Sequence, residues 1–357
     1  ARSSAARASI DDASPVVALS DKERLKQERD FKRQERLARK GNPMAQNALA
    51  WMFQKGLGTS QNESQALEWY QKAALQGYAL AQNNLAWMYS QGRGVKENKP
   101  EAVSWYRKAA EQGLASAQYH LALMLQHGLG VEPNEKEAVQ WYHKAIEQRY
   151  AEALVGLQKM ASAGSPLAQL KMATYYKAGC SLVPKDPTKA VDWYTRAANQ
   201  GNPIAQFNLG FIYERGELVF HQDLNKAIPL YAKAAAQESI VHDKALEKLQ
   251  ALANEGFPDA QSALGLLYAN GSGIGQDNQQ AFEWCQKAAK TAEASPAHWA
   301  RLGFFYLEGI GVTQNDTLAL QWLDKAAKRV EPLAFFLMGI LYDRHEHHVG
   351  ILPDANL

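Results

Sequence analysis

The chain is poor in cysteine, nearly balanced in charge, and without a long apolar run. Of its 357 residues only Cys180 and Cys285 are cysteines, about three repeat lengths apart. Stacked repeats would hold them far beyond the ~7 Å Cα separation that a disulfide tolerates. Cysteine usage therefore marks no redox compartment. A net charge of +2 excludes a protein whose main task is gripping nucleic acid, which needs a strongly basic face. No window approaches the ~18 apolar residues of a spanning helix. There is no G-x-S-x-G and no H-E-x-x-H. The glycine-rich Gly271–Gly275 has no strand before it, as a phosphate-binding loop requires. Lacking a nucleophile set and a cofactor motif, the chain reads as non-enzymatic and without cofactor.

What is present is a period. Ala45, Ala81, Ala117 and Ala153 are spaced by 36 residues, and later steps run 37 from Ala168 to Ala205, 38 from Leu264 to Leu302 and 36 from Leu302 to Met338. A fixed period in this range marks units that bury their apolar side only against neighbours. Residues 81–117 are the most regular copy and read as two short helices joined by a glycine-rich loop. Counting from Ala81, the fifth place of each first helix is Leu or Met. The sixth is Ala or Gly (Ala50, Ala86, Ala122, Ala173, Gly210, Gly265, Gly303, Gly339), small enough to admit a partner backbone. The ninth is aromatic in all copies but Leu125. A glycine three residues on, such as Gly92, is placed to stop the helix. Asn or Asp (Asn62, Asn98, Asn134, Asp186, Asp223, Asp277, Asn315) then offers a cap for the second helix. Ala follows four residues later, then a Trp-Tyr pair and a Lys/Arg-Ala pair.

This series resembles the Sel1-like repeat family, relatives of the tetratricopeptide repeat, over about residues 41–344. The resemblance implies an all-α, right-handed α/α superhelical solenoid with first helices on the concave side. It also implies a function among adaptors, envelope or virulence regulators, secreted bacterial proteins and immunity proteins that neutralise toxins.

The repeat breaks twice in the same way. Arg149 and Glu238 stand where Gly77 and Gly113 end the second helix. The segments Ala153–Gln169 and Ala245–Gln261 follow, 92 residues apart and aligning without a gap. Each insert reads as one unpaired helix, expected to change the direction of the superhelix or, failing that, to act as a spacer. The expected organisation is a flexible tail (1–20), a capping helix (21–40), repeats 1–3 (41–150), an extra helix with repeats 4–5 (151–242), an extra helix with repeats 6–7 and a closing helix over 334–344 (243–344), and a tail (345–357). The capping helix carries nine basic and five acidic residues, which reads as a solvated face rather than an anion site. The Ala- and Ser-rich start at Ala1 fits a chain exported after signal cleavage, expected in the bacterial periplasm. A trimmed start, and a cytoplasmic chain, fit as well.

The places that the repeat leaves free are the candidates for function. They are Asn47, Asn83, Tyr119 and Phe207 at the third place, and Asn84, His120, Lys171, Asn208 and Arg301 at the fourth. At the seventh are Trp51, Trp87, Thr174, Phe211 and Phe304. Fourth and seventh places share a helical face. Aromatics interleaved with Asn, which donates and accepts at once, have the composition of a protein-binding patch. The competing reading for Trp51 and Trp87 is packing between neighbouring first helices. His345, His347 and His348, near Asp343 and Glu346, read as surface histidines rather than a metal site. Cys285 reads as a small buried apolar residue. His298, Trp299, Arg301, Phe335 and Phe336 make the last unit unusual, either as a cap wrapped by the tail or as a second contact patch. The expected partner is another protein, a secreted effector toxin in the sharpest form and a lipid-degrading one within that. The chain alone is expected to be a monomer with neither nucleic acid nor a membrane span.

Overall fold

The computed structural model describes residues 20–218 and 221–349, with 344–349 as backbone only. The chain forms two compact units, residues 1–156 and 157–357. Helix α1 (Asp21–Arg39) leads into the pairs α2/α3 (Pro43–Lys55, Glu63–Leu75), α4/α5 (Ala79–Gln91, Lys99–Glu111) and α6/α7 (Ala115–His127, Glu135–Glu147). Helix α8 (Ala151–Ser162) follows, then α9/α10 (Pro166–Ala178, Pro187–Asn199) and α11/α12 (Pro203–Arg215, Leu224–Ala235). Helix α13 (His242–Asn254) precedes α14/α15 (Pro258–Asn270, Asn278–Lys290), α16/α17 (Pro296–Glu308, Asp316–Ala327) and α18 (Pro332–Val349). Each unit is thus an α/α solenoid of stacked helix pairs. Among the described residues there is no strand, only a bridge between Cys180 and Val183, and no helix is long and apolar enough to cross a membrane.

Local chemistry sets every pair. The side chains of Asn62, Asn98, Asn134, Asp186, Asp223, Asp277 and Asn315 each accept a backbone N–H three residues on, the bond that starts a helix. The same residues' own N–H groups donate to the ninth-place carbonyl of the first helix, as Asn98 does to Tyr89 at 2.9 Å. Six first helices end on a left-handed glycine, Gly92 among them. Gly179 instead combines a positive φ of 80° with ψ 154° and leads into the Cys180–Val183 bridge. Where Arg149 and Val330 replace the glycine that ends a second helix, both adopt positive φ, 65° and 60°.

Packing follows from the sixth place. Gly265 lies under α15, where a Cβ would sit 2.6 Å from Cys285 Sγ and 3.0 Å from the Ala281 carbonyl. Ala50, Ala86 and Ala122 are fully buried at the same place, and so are the second-helix residues Tyr70 and Tyr142. On the second helices the Lys/Arg three residues after a tryptophan lies on its ring: Lys72, Lys108, Lys144 and Lys287 sit 3.9–4.2 Å from the ring centroids, within cation–π range.

A ladder of buried glutamines joins successive helices. Gln82 Nε2 donates to the Ala74 carbonyl at 3.2 Å, and its Oε1 accepts from Gln112 Nε2 at 2.7 Å. Gln46, Gln118, Gln169 and Gln206 repeat both bonds. The carbonyls of Ala38, Ala161 and Ala253 belong to α1, α8 and α13. These single helices therefore play the second-helix part toward α2, α9 and α14, which is how the two inserts enter the stack. In unit 2, α12 also touches α14 directly beside α13.

The ladder fails at Gln261. Thr291 occupies the place of Gln112, and Gln261 Oε1 is buried without a partner. One unit later Trp299 replaces the glutamine, and its Nε1 donates to the Ala289 carbonyl at 3.2 Å. His298 beside it is buried. Its Nδ1 accepts from the Ser295 N–H at 2.9 Å, so the ring proton sits on Nε2, 3.0 Å from Asp259 Oδ1. That bond holds the Asp259 carboxyl below its ordinary range. His298 and Trp299 are thus frame residues of the α14–α16 junction. The glutamine ladder gives a stability test by urea unfolding. Gln118→Met removes two bonds and leaves the Gln148 amide without this acceptor, an expected loss of about 1–3 kcal/mol. Gln261→Met removes one bond together with an orphaned acceptor and is expected to cost roughly 1 kcal/mol less. Equal losses would contradict the ladder.

Candidate functional site

In unit 1 the first helices bring the candidate residues together. Asn84 Nδ2 on α4 donates to Asn47 Oδ1 on α2 at 3.1 Å, and Asn83 Nδ2 reaches Asn84 Oδ1 at 3.5 Å. Trp51 is 48% exposed, whereas Trp87 and His120 are half-buried and line one cavity of about 220 Å³. The other walls are Ser90, Gln91, Lys99, Tyr106, Leu123, Met124 and Leu129.

The cavity has an identifiable cause. At the tenth place Gln54 accepts the Tyr70 hydroxyl at 3.0 Å and Gln126 accepts that of Tyr142 at 2.7 Å. The equivalent residue beside Tyr106 is Ser90. It still bonds the Tyr106 hydroxyl, whose pKa burial pushes up to about 12, but it leaves the volume of the longer side chain empty. Ser90 Oγ gives its own proton to the Trp87 carbonyl at 2.8 Å. The His120 ring stacks on Tyr106, centroids 5.1 Å apart and planes 28° apart, and burial lowers its pKa. The imidazole is therefore neutral at pH 7. Among the lining residues the one formal charge is that of Lys99, which pairs with Glu97 at 3.1 Å.

Tyr119 lies within 5.1–6.2 Å of His120, Tyr142 and Tyr150, ring to ring, and so packs on α7 beside the cavity. In unit 2 the candidates are more dispersed. Phe207 packs on Tyr231 at 5.7 Å. Phe211 lies beneath Arg215 and Lys248. Lys171 lies over Tyr175, with its carbonyl accepting from Thr174 Oγ1 at 2.7 Å. Arg301 bonds Ser262, and Phe304 stands edge-on to Phe305 at 6.3 Å. Asn208 is half-buried on α11. Cys285 is buried, which pushes its thiol up to about 12, and Cys180 is half-buried. The side chains of His345, His347 and His348 lie outside the described residues. Among the described residues no group of three His, Cys, Asp or Glu is placed to hold a metal.

Ser90, Lys99, Tyr106, Met124 and Leu129 belong to the cavity without having been singled out in the sequence. The readable signal was Ser90 in a place that holds Gln in the two flanking units.

The Sel1 repeat model matches seven segments: 43–78, 79–114, 115–150, 166–202, 203–239, 258–290 and 300–329. The chain belongs to the Sel1 repeat family. Its unmatched stretches include α8 and α13. No curated protein matches it. Solved structures similar to it include a protective antigen of uropathogenic Escherichia coli displaying an SLR fold, 29% identical, covering 88% of this chain and 75% of that one, with TM-score 0.33. A Sel1 repeat protein from Oxalobacter formigenes is 27% identical over 87% of this chain and 79% of that one, with TM-score 0.31. An immunity protein from Pseudomonas aeruginosa is 19% identical over 72% and 81%, with TM-score 0.19. Sel1 repeat proteins serve in general as protein-interaction scaffolds.

The half-buried His120 makes stability depend on pH. Its folded pKa lies below the ordinary ~6.5, so between the two values the unfolded chain binds more protons. Stability therefore falls as pH drops through that window. Urea midpoints at pH 7.5 and 5.5 should differ less for His120→Phe than for the wild type. An equal difference would contradict a desolvated imidazole.

Proposed function

We propose that this Sel1 repeat protein is a non-catalytic scaffold whose first-helix layer in unit 1 holds one partner protein. The observation that carries the reading is the cavity beside Ser90. Binding energy at interfaces concentrates where a side chain fills a desolvated pocket walled by aromatics, and Trp87, Tyr106, His120 and Leu123 make such a pocket. An aromatic or long aliphatic side chain of the partner enters it. Asn47, Asn83 and Asn84 pair beside it with the partner's main chain. The lining carries Lys99 and no carboxylate, so the anchor comes from a neutral or acidic patch.

The same pocket argues against a hydrolase, including one acting on cell-wall material. The Ser90 proton is committed to the Trp87 carbonyl, and no hydrogen bond joins Ser90 to His120 among the described residues. A nucleophile needs a base within hydrogen-bond reach. Within the scaffold class, the family resemblance favours an exported, periplasmic immunity-type inhibitor that occludes a secreted toxin, with a lipid-degrading enzyme as the toxin class. An inhibitor has one tight partner, whereas an envelope or signalling adaptor has several weaker ones.

The test is affinity capture from the source cells with the full chain and with Ser90→Gln, which fills the cavity and retains the tyrosine bond. One protein held at equal stoichiometry by the wild type, and at least tenfold more weakly by Ser90→Gln, is expected. Equal retention by Ser90→Gln and Trp87→Ala would contradict the pocket. For the inhibitor reading, deletion of the gene should sensitise cells to a neighbour's toxin, and full resistance would contradict it.

A further inference from the structure

Helix α18 carries a face that the repeat elsewhere covers. It buries Ala334, Leu337 and Leu341 against α16 and α17. Its other stripe is Phe335, Met338, Gly339 and Tyr342, the second, fifth, sixth and ninth places of the repeat. In each earlier pair these places meet a second helix. Among the described residues none follows α18, and Phe335 and Tyr342 are each 54% exposed, with Phe336 at 66%.

Gly339 is the informative residue. A glycine within a helix costs about 1 kcal/mol relative to alanine. At Gly210, Gly265 and Gly303 the second helix gives the reason, because a Cβ would meet Tyr231, Cys285 or Leu323 at 3.0, 2.6 and 2.8 Å. At Gly339 nothing among the described residues lies within 4 Å. The helix α1, which is also single, shows what a closed face looks like here. Asp30, Arg33 and Gln34 take the places of Ala66, Trp69 and Tyr70, so the side of α1 that no described helix covers is polar. The α18 stripe is apolar instead.

We propose that the α18 face docks one amphipathic helix of a partner protein. That helix follows the rule of this chain's own second helices: Ala at one position and Tyr, Cys or Leu four residues on. Ala102 with Tyr106, Ala281 with Cys285 and Ala319 with Leu323 are such pairs. Residues four apart share a helix face. The alanine admits the backbone, and the larger side chain lies over the sixth-place glycine. The docked helix continues the interface already formed by α16 and α17, adding one layer. This site shares no residue with the Trp87 pocket, and the proposal stands independently of it.

The test uses a labelled peptide of residues 98–112, the capped α5 sequence, titrated with the full chain and followed by fluorescence anisotropy. Saturable binding is expected, weakened at least tenfold by Gly339→Trp and by Phe335→Asp, and unchanged by Ser90→Gln. A peptide carrying Ala102→Leu should not bind. Thermal midpoints of the two chain variants establish that they fold, and Phe335→Asp, at an exposed site, stands alone if Gly339→Trp does not. Absent binding, or binding undiminished in both variants, overturns the proposal. Binding that appears only after removal of residues 350–357 assigns the face to the chain's own tail and also overturns it. So does a concentration-dependent dimer, seen by sedimentation, that Phe335→Asp abolishes, because a second copy is then the occupant.

Discussion

The structure depends on how closely a second helix can approach its first helix at one position, the sixth place of the repeat. Only Ala or Gly stands there, and only an aromatic, Cys or Leu lies over it. Close approach excludes water from the pair and buries the Trp-Tyr face. It also brings the Gln82-type side chain within reach of both a carbonyl and the next glutamine. A buried amide that lost either bond would carry a desolvation penalty of about 1–3 kcal/mol. Apolar packing and polar satisfaction therefore rest on the same spacing.

The frame separates what the chain must keep from what it can vary. Places five, six and nine, the cap Asn or Asp and the glutamines build the stack. Places three, four, seven and ten differ from unit to unit. A candidate site arises where one free place changes while the frame around it stays, as at Ser90. Its cavity exists because Tyr106 is held where Tyr70 and Tyr142 are held, while the side chain opposite is shorter. Conversely, His298 and Trp299 look like novelties but restore the frame. The indole of Trp299 donates to the carbonyl that the glutamine would reach, and His298 ties Ser295 to Asp259.

Much of the fold was legible because each signal is local. The caps, the helix-stopping glycines and the 36-residue spacing act within one unit, and the inserts announced themselves at Arg149 and Glu238. The Lys/Arg after each Trp-Tyr pair was visible as a pattern, and its reason, the ring beneath it, needed coordinates. The glutamine ladder joins residues about 30 positions apart, so its logic was not visible in any one unit. The candidate site was legible in part. Trp87 and His120 meet in the cavity, but Tyr119 and Phe207 are packed on second-helix tyrosines. The third place lies on the border between the two faces, and spacing alone cannot assign it. The exposed aromatics of α18 were visible as Phe335 and Phe336. Its meaning came from the empty space over Gly339.

The paired substitutions Gly265→Ala and Gly339→Ala, compared by urea unfolding of the full chain, test the close-approach constraint most directly. Helix propensity favours alanine by about 1 kcal/mol at both sites. The account predicts opposite signs. Gly339→Ala stabilises, because no described residue lies within 4 Å of its new Cβ. Gly265→Ala destabilises, because its Cβ is driven against Cys285 Sγ and the Ala281 carbonyl. Stabilisation at both positions would contradict the account.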